Sequence, residues 1–277
     1  MTRKYGNRLS RGKGLFVLAA LGLLSFAFYA CTGAASHKAD VHPVSAEAKH
    51  WSYTGDTGPE YWYSLDPAFG IAKEGRAQSP IAIDTAALAP LKGEEPGKPV
   101  IAYRETPFEI ENNGHTIELI PVSDDNYITI GTEVYVLRQF HFHAPSEHRI
   151  DGKAFVMELH LVHENAQGDL AVMGSMISEG AENEALKEAF AALPGKGDGT
   201  VSPTVTVNPA DLFNGEQGAY LYEGSLTTPP CSEGVKWTIA AKPIELSTAQ
   251  IQAFTALYTG NNRPVQALNR RAVYAAP

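Results

Sequence analysis

Hydrophobic and polar positions change rhythm three times along this chain. Residues 15–30 are one uncharged apolar run of 16, preceded by Arg3, Lys4, Arg8, Arg11 and Lys13 with no acid among them. A basic stretch ahead of an apolar run of this length reads as a secretory signal over residues 1–30, and the run is short for a membrane span, which needs roughly 20 residues. Residues 31–49 contain no Phe, Tyr or Trp and are rich in Ala, Ser and His, which suits a tether. From residue 50 to residue 277 the pattern is that of a folded domain. Short β-rich runs, among them Ile117 to Ile120, Tyr127 to Ile130, Glu133 to Leu137, Phe155 to Val162, Leu170 to Ile177 and Val235 to Ala241, alternate with turn signals such as Asn112-Asn113-Gly114 and Asp151-Gly152. Two segments switch to helical spacing. Glu182 to Leu193 sets Leu186, Ala189, Phe190 and Leu193 on one face, and Ser247 with Gln250 forms a capping box ahead of Ile251, Phe254 and Leu257. The pattern predicts one mainly β domain with a few short helices.

Composition changes this picture in one respect. The formal net charge is −9, with 22 basic residues against 31 acidic. Loss of residues 1–30 removes five of the basic residues, leaving 17 against 31, or −14. A surface so acidic excludes binding to nucleic acid, whose phosphates need a cationic counterpart. The chain has two cysteines, Cys31 and Cys231. Cys31 follows Phe28-Tyr29-Ala30, which resembles a bacterial lipoprotein box in which this cysteine would carry lipid; cleavage near Gly33-Ala34-Ala35 is the alternative. Both routes export the protein, to a periplasmic or secreted location with or without a lipid anchor. Only Cys231 remains inside the domain, so an intradomain disulfide is not expected.

Candidate chemistry concentrates in the histidines. All nine precede residue 164, and five lie between 141 and 163. Strand alternation puts Gln139, His141 and His143 on one face and Phe140 and Phe142 on the other; it groups Glu158, His160 and Val162 in the same way. A two-residue turn at Asp151-Gly152 would set His143 opposite His160, with Pro145 or a bulge able to shift that register by a residue or two. Three imidazoles without a thiolate suit a zinc-like divalent ion. Three protein ligands leave a fourth position open for water, which is the catalytic arrangement, whereas a structural zinc site closes all four. Gln139 and Glu158 are placed to hold the second nitrogens of His141 and His160.

At this point the residues resemble a family. Gln139-Phe140-His141-Phe142-His143, Ser146-Glu147-His148, Glu158-Leu159-His160-Leu161-Val162-His163 and Gly224-Ser225-Leu226-Thr227-Thr228-Pro229-Pro230 are similar to the motifs of an α-class carbonic anhydrase. Gly58-Pro59-Glu60, Gln78-Ser79-Pro80-Ile81, Asn112-Asn113-Gly114-His115, Trp237 and Asn262-Arg263-Pro264 extend the resemblance from about Trp51 to about Arg271. It implies a large twisted, mostly antiparallel central sheet and a zinc-dependent lyase that reversibly hydrates CO2 to bicarbonate and a proton. His141, His143 and His160 would hold Zn²⁺. Thr227 would accept a hydrogen bond from zinc-bound hydroxide and donate its own proton to Glu147, and Thr228 would position bicarbonate. Val162, Val172, Leu226 and Trp237 would form the apolar wall for CO2. His115 would shuttle protons on a mobile ring, with Tyr53 and Asn113 ordering water, and the main-chain carbonyl of Asn261 would hold His143.

Three departures from the family pattern stand out. The stretch Phe69-Gly70-Ile71-Ala72 has no cysteine to pair with Cys231, Glu118 replaces an amide near the proton path, and Arg138 is charged where relatives are apolar at the pocket rim. His148 and His163 read as structural, and His37, His42 and His50 as tether residues. Two other functions compete. A cupin would use Glu147 as a fourth ligand to iron or manganese, but Tyr135 stands where its motif needs glycine. A catalytically silent binding module on the same fold would have lost ligands that are all present here. Oligomeric state is not legible.

Overall fold

In this computed structural model the described residues are 50–277, except 92–96, 197–198 and 214. The expectations for the signal and the tether, with Cys31, His37 and His42, lie outside them. Strands form where β-branched and aromatic residues alternate with polar ones. Thr106, Phe108, Ile110 and Asn112, for example, are buried while Pro107 and Glu109 are exposed. The principal strands are β1 (Ala89–Pro90), β2 (Thr106–Asn112), β3 (Ile117–Pro121), β4 (Tyr127–Ile130), β5 (Glu133–His143), β6 (Met157–Glu164), β7 (Leu170–Glu179), β8 (Gly199–Val207), β9 (Ala219–Ser225), β10 (Glu233–Ala240) and β11 (Tyr274–Ala276). Among the described residues they belong to one 13-stranded sheet, whose main order is β8-β2-β3-β5-β6-β7-β10-β9-β11-β1. Pairing is mostly antiparallel, with parallel exceptions at β7–β10, β11–β1 and the short strand Ile244–Leu246 beside β7. The fold is therefore mainly β with a few short helices, as the residue pattern and the resemblance imply.

The two faces of β5 and β6 do different work. Phe140, Phe142, Leu159 and Leu161 join Phe108, Met173, Phe190 and Phe254 in the larger apolar cluster. Two short helices cover it, α1 (Lys187–Ala191) and α2 (Thr248–Thr255). The expected helix at Glu182–Leu193 is shorter, a 3-10 turn at Glu184–Leu186 leading into α1. The Ser247/Gln250 capping box is present. The opposite faces of β5 and β6 carry the imidazoles and stand beside a second cluster that includes Ile81, Val172, Tyr222, Trp237 and Ile239.

The register between β5 and β6 differs from the expected one. Ile150 does bridge Lys153 across the Asp151-Gly152 turn. Further along, however, His141 pairs with His160, and His143 with Glu158. The reason is local. The backbone N–H groups of Glu147 and His148 leave the hairpin ladder and donate to Glu158 Oε2, each at 2.8 Å. Two extra residues are thereby accommodated on one strand, and the ladder slips by two. An even slip keeps every side chain on its own face, so the imidazoles still converge.

Candidate metal centre and its cleft

Five strands, β3, β5, β6, β7 and β10, and the irregular stretches around them build the site. β5 supplies Gln139, His141 and His143; β6 supplies His160 and Val162; Val172 in β7 and Trp237 in β10 extend the floor. Leu226, Thr227 and Thr228 close one side, and Trp51, Tyr53, Asn113, His115, Thr116 and Glu118 the other. Together they line a cleft of about 120 Å³ open to solvent. Arg138 is not among the lining residues. It lies where the β5–β6 ladder is irregular, and its guanidinium reaches Asp124 at 3.0 Å and Glu164 at 3.1 Å.

Each imidazole is held by its outward nitrogen. His141 Nδ1 donates to Gln139 Oε1 at 2.8 Å, His143 Nδ1 to the Asn261 carbonyl at 2.7 Å, and His160 Nε2 to Glu158 Oε1 at 2.7 Å. The inward atoms, His141 Nε2, His143 Nε2 and His160 Nδ1, are left as lone-pair donors facing one another. His141 Nε2 and His143 Nε2 are 3.0 Å apart. Lone pairs so close repel unless a cation lies between them. Burial and the neighbouring imidazoles hold His141 well below the usual histidine value, and burial lowers His143. Both shifts favour the neutral form, which is the form that can ligate.

Glu147 adds a second indication of a cation. Its Oε1 accepts the Arg263 backbone N–H at 2.7 Å. Its Oε2 is buried without a hydrogen-bond partner, 3.4 Å from His143 Nε2 and 3.9 Å from His160 Nδ1. Thr227 therefore does not donate to that oxygen here, in contrast to the expected pairing. A buried carboxylate oxygen without a donor is costly, and next to three inward lone pairs it marks a place suited to a positive ion. The group His141, His143 and His160 can hold one.

Behind the site runs a buried, directional chain of hydrogen bonds that sequence reasoning missed. Ser225 N–H donates to Ser79 Oγ (3.0 Å), Ser79 Oγ bonds Tyr222 Oη (2.8 Å), and Tyr222 Oη bonds His148 Nε2 (2.6 Å). His148 Nδ1 then donates to Glu158 Oε1 (2.6 Å), the same oxygen that holds His160. Because Glu158 receives two imidazole N–H groups, its carboxyl lies well below the usual range despite burial. The chain ties the Ser225–Thr228 loop to a candidate ligand. Serine and tyrosine spacing carries no signal for it, since its members come from four separate stretches of chain.

His115 reaches the cleft, but its ring is not free. It stacks on Trp51 with centroids 3.7 Å apart and planes at 7°, and lies 5.9 Å from the ring of His50. Partial burial, then the His50 charge, lowers its pKa. His50 is accordingly part of the folded domain rather than of a tether. Tyr53 and Asn113 line the same wall, where burial and then Glu147 push the Tyr53 phenol well up. Burial and then Glu111 raise the Glu118 carboxyl, against the Asn113 hydrogen bond. His163 is buried away from the cleft, bonded to Tyr103 Oη (2.6 Å) and the Ala171 carbonyl (3.2 Å). Cys231 is a buried free thiol, pushed by burial up to about 11.

Fold and cleft define a class: a large β-sheet domain with three inward imidazoles, open to solvent and suited to a metal ion. Residues 57–277 match the family model for eukaryotic-type carbonic anhydrase. A carbonic anhydrase of Nostoc sp. is 37% identical over 263 residues, covering 95% of this chain and 96% of that protein. One of Klebsiella pneumoniae is 40% identical over 236 residues, covering 83% and 93%. Among solved structures, the α-carbonic anhydrase of Thermovibrio ammonificans in complex with the inhibitor sulfanilamide superposes with a TM-score of 0.77 at 37% identity, covering 82% of this chain and 99% of that one. The chain belongs to the eukaryotic-type, or α, carbonic anhydrase family of enzymes.

Proposed function

We propose that this chain catalyses the reversible hydration of CO2 to bicarbonate and a proton, with Zn²⁺ held by His141, His143 and His160. The observation that carries the reading is the open side of the three-imidazole cluster, which faces the cleft beside the unpartnered Oε2 of Glu147. Zn²⁺, when bound, is a Lewis acid that draws the pKa of a coordinated water toward neutrality, an effect for which carbonic anhydrase is the type example. Everything else falls to the chain. Gln139, Glu158 and the Asn261 carbonyl fix the three rings. Glu147, its other oxygen taken by the Arg263 N–H, keeps Oε2 available for the Thr227 hydroxyl. Thr227 bonded in that way can only accept from the attacking water, which aims a lone pair at the substrate carbon. Val162, Val172, Leu226 and Trp237 present an apolar wall that holds CO2 without hydrating it, and Thr228 receives the bicarbonate oxygens. His115 takes up the released proton and passes it to buffer, as an imidazole with a pKa near or below neutrality can do. Tyr53 and Asn113 order the water between.

A stopped-flow pH-indicator assay tests this. The zinc-loaded protein is expected to hydrate CO2 far faster than buffer, to lose that rate in His160→Ala, and to be inhibited by sulfonamides. Folded protein carrying one zinc per chain and no faster than buffer would leave only the silent binding module. The family excludes the cupin reading. We further propose that residues 1–30 direct export, that 31–49 tether the domain, and that 50–277 form the catalytic unit, periplasmic or secreted, either anchored by a lipid on Cys31 or released by cleavage near Gly33-Ala34-Ala35.

A further inference from the structure

Glu118 has no task in the scheme above. It lies in β3 directly across from His141 in β5 and lines the cleft. One neighbour is fixed without ambiguity. Asn113 Oδ1 accepts the backbone N–H groups of His115 and Thr116, both at 2.9 Å, so the Asn113 amide nitrogen turns the other way and donates to Glu118 Oε1 at 2.9 Å. The same carboxylate oxygen faces Gln139 Nε2 at 3.5 Å, the outer limit of a hydrogen bond, and Gln139 Oε1 accepts the His141 Nδ1 proton at 2.8 Å.

Donor and acceptor roles make this arrangement one-way. An ionised carboxylate accepts and never donates. It admits a single orientation of the Gln139 side chain, with NH2 toward Glu118 and carbonyl toward His141. That carbonyl in turn requires the proton on His141 Nδ1 and leaves the Nε2 lone pair facing the cleft. An apolar side chain at position 118 would impose no such rule, and Gln139 could then turn its amide either way; a glutamine would keep it, since the Asn113 NH2 requires an acceptor oxygen at that same place. His160 is held by a carboxylate directly; His141 is held by one through an intervening amide.

We infer that Glu118 is a positioning residue for the metal centre: acting through Gln139, it selects the amide orientation, and hence the imidazole tautomer, that aims His141 Nε2 into the cleft. The inference rests on the three-imidazole reading of the site and goes one residue beyond it.

The test uses the full chain at pH 8, with Zn²⁺ alone competed against a chelator. Glu118→Leu is expected to weaken zinc binding about tenfold, the scale on which partners of metal ligands act, and Glu118→Gln, whose oxygen Asn113 holds in the same place, to keep the parent affinity. Gln139→Leu should weaken it at least as much, and adding Glu118→Leu to that variant should cost nothing further, since the effect passes through the amide. Nitrogen NMR of the metal-free protein should show one His141 tautomer in the parent and in Glu118→Gln and a mixture in Glu118→Leu. Zinc affinity of Glu118→Leu within twofold of the parent overturns the inference. So does a Glu118→Leu loss that persists in full beside Gln139→Leu, which would mark a bare charge effect. Should Glu118→Leu not fold, Glu118→Ala decides by affinity and tautomer. If His141→Ala leaves zinc affinity unchanged, the three-imidazole reading itself has failed, whatever Glu118 does.

Discussion

Single side chains show how much of the site depends on protonation states fixed by burial. His163 is the clearest case outside the cleft, its pKa held down to about 3 chiefly by desolvation. In the unfolded chain it would titrate near 6.5. Below that value the unfolded state takes up a proton that the folded state refuses, so stability present above pH 6.5 is lost as pH falls toward 3, at roughly 1.4 kcal/mol per pH unit over the window. His163→Gln removes that proton from the balance. Urea unfolding measured from pH 7 to pH 4 is expected to show a flatter acid limb in the variant, and an unchanged slope would mean that His163 is not the group responsible. At this scale the sequence was legible where chemistry followed a two-residue period. Gln139, His141, His143, Glu158 and His160 could all be placed on their faces from alternation alone. Glu147 could not be resolved in the same way, because its fixed oxygen is held by the Arg263 backbone N–H, and a main-chain donor leaves no mark in residue type. The stack of His115 on Trp51 was invisible for a related reason: it joins two turns that only the folded chain brings together.

At the scale of elements, the positions of several strands followed from the residue pattern, with ends up to six residues off, and the register did not. A two-residue slip between β5 and β6 came from a carboxylate, Glu158, collecting two backbone N–H groups, a competition between side chain and ladder that hydrophobic periodicity cannot register. The end of β9 is constrained still more tightly. A Cβ at Gly224 would lie 2.1 Å from Ser79 Oγ, 2.7 Å from Tyr222 Cε2 and 2.9 Å from Trp237 Cδ1. Those atoms belong to the hydrogen-bond chain behind His160 and to the apolar wall, so neither can withdraw freely. Gly224→Ala is expected to lower unfolding free energy by about 2–4 kcal/mol through overpacking and the lost Ser79 bonds. Turnover should fall as well, since the loop bearing Thr227 follows immediately. Urea denaturation together with the CO2 assay would check both; a variant as stable and as fast as its parent would show that β9 can shift without disturbing the loop.

At the scale of the molecule, the uncharged apolar run ahead of the domain carries the proposal that the protein is exported. Mass spectrometry of the mature chain is expected to find an N-terminus at a lipid-modified Cys31 or at a small-residue site just beyond it; a mature form retaining residues 1–30 would remove the export proposal. The way the site is drawn from the chain adds a constraint of timing. All three candidate ligands lie between residues 141 and 160, yet Ser225 anchors the bond chain behind His160, the Asn261 carbonyl holds His143, and the Arg263 N–H aims Glu147. A nascent chain therefore carries every imidazole long before it can hold His143 or aim Glu147. A half-made molecule holds an incomplete cluster of histidines, and competence arrives only when the last tenth of the sequence docks.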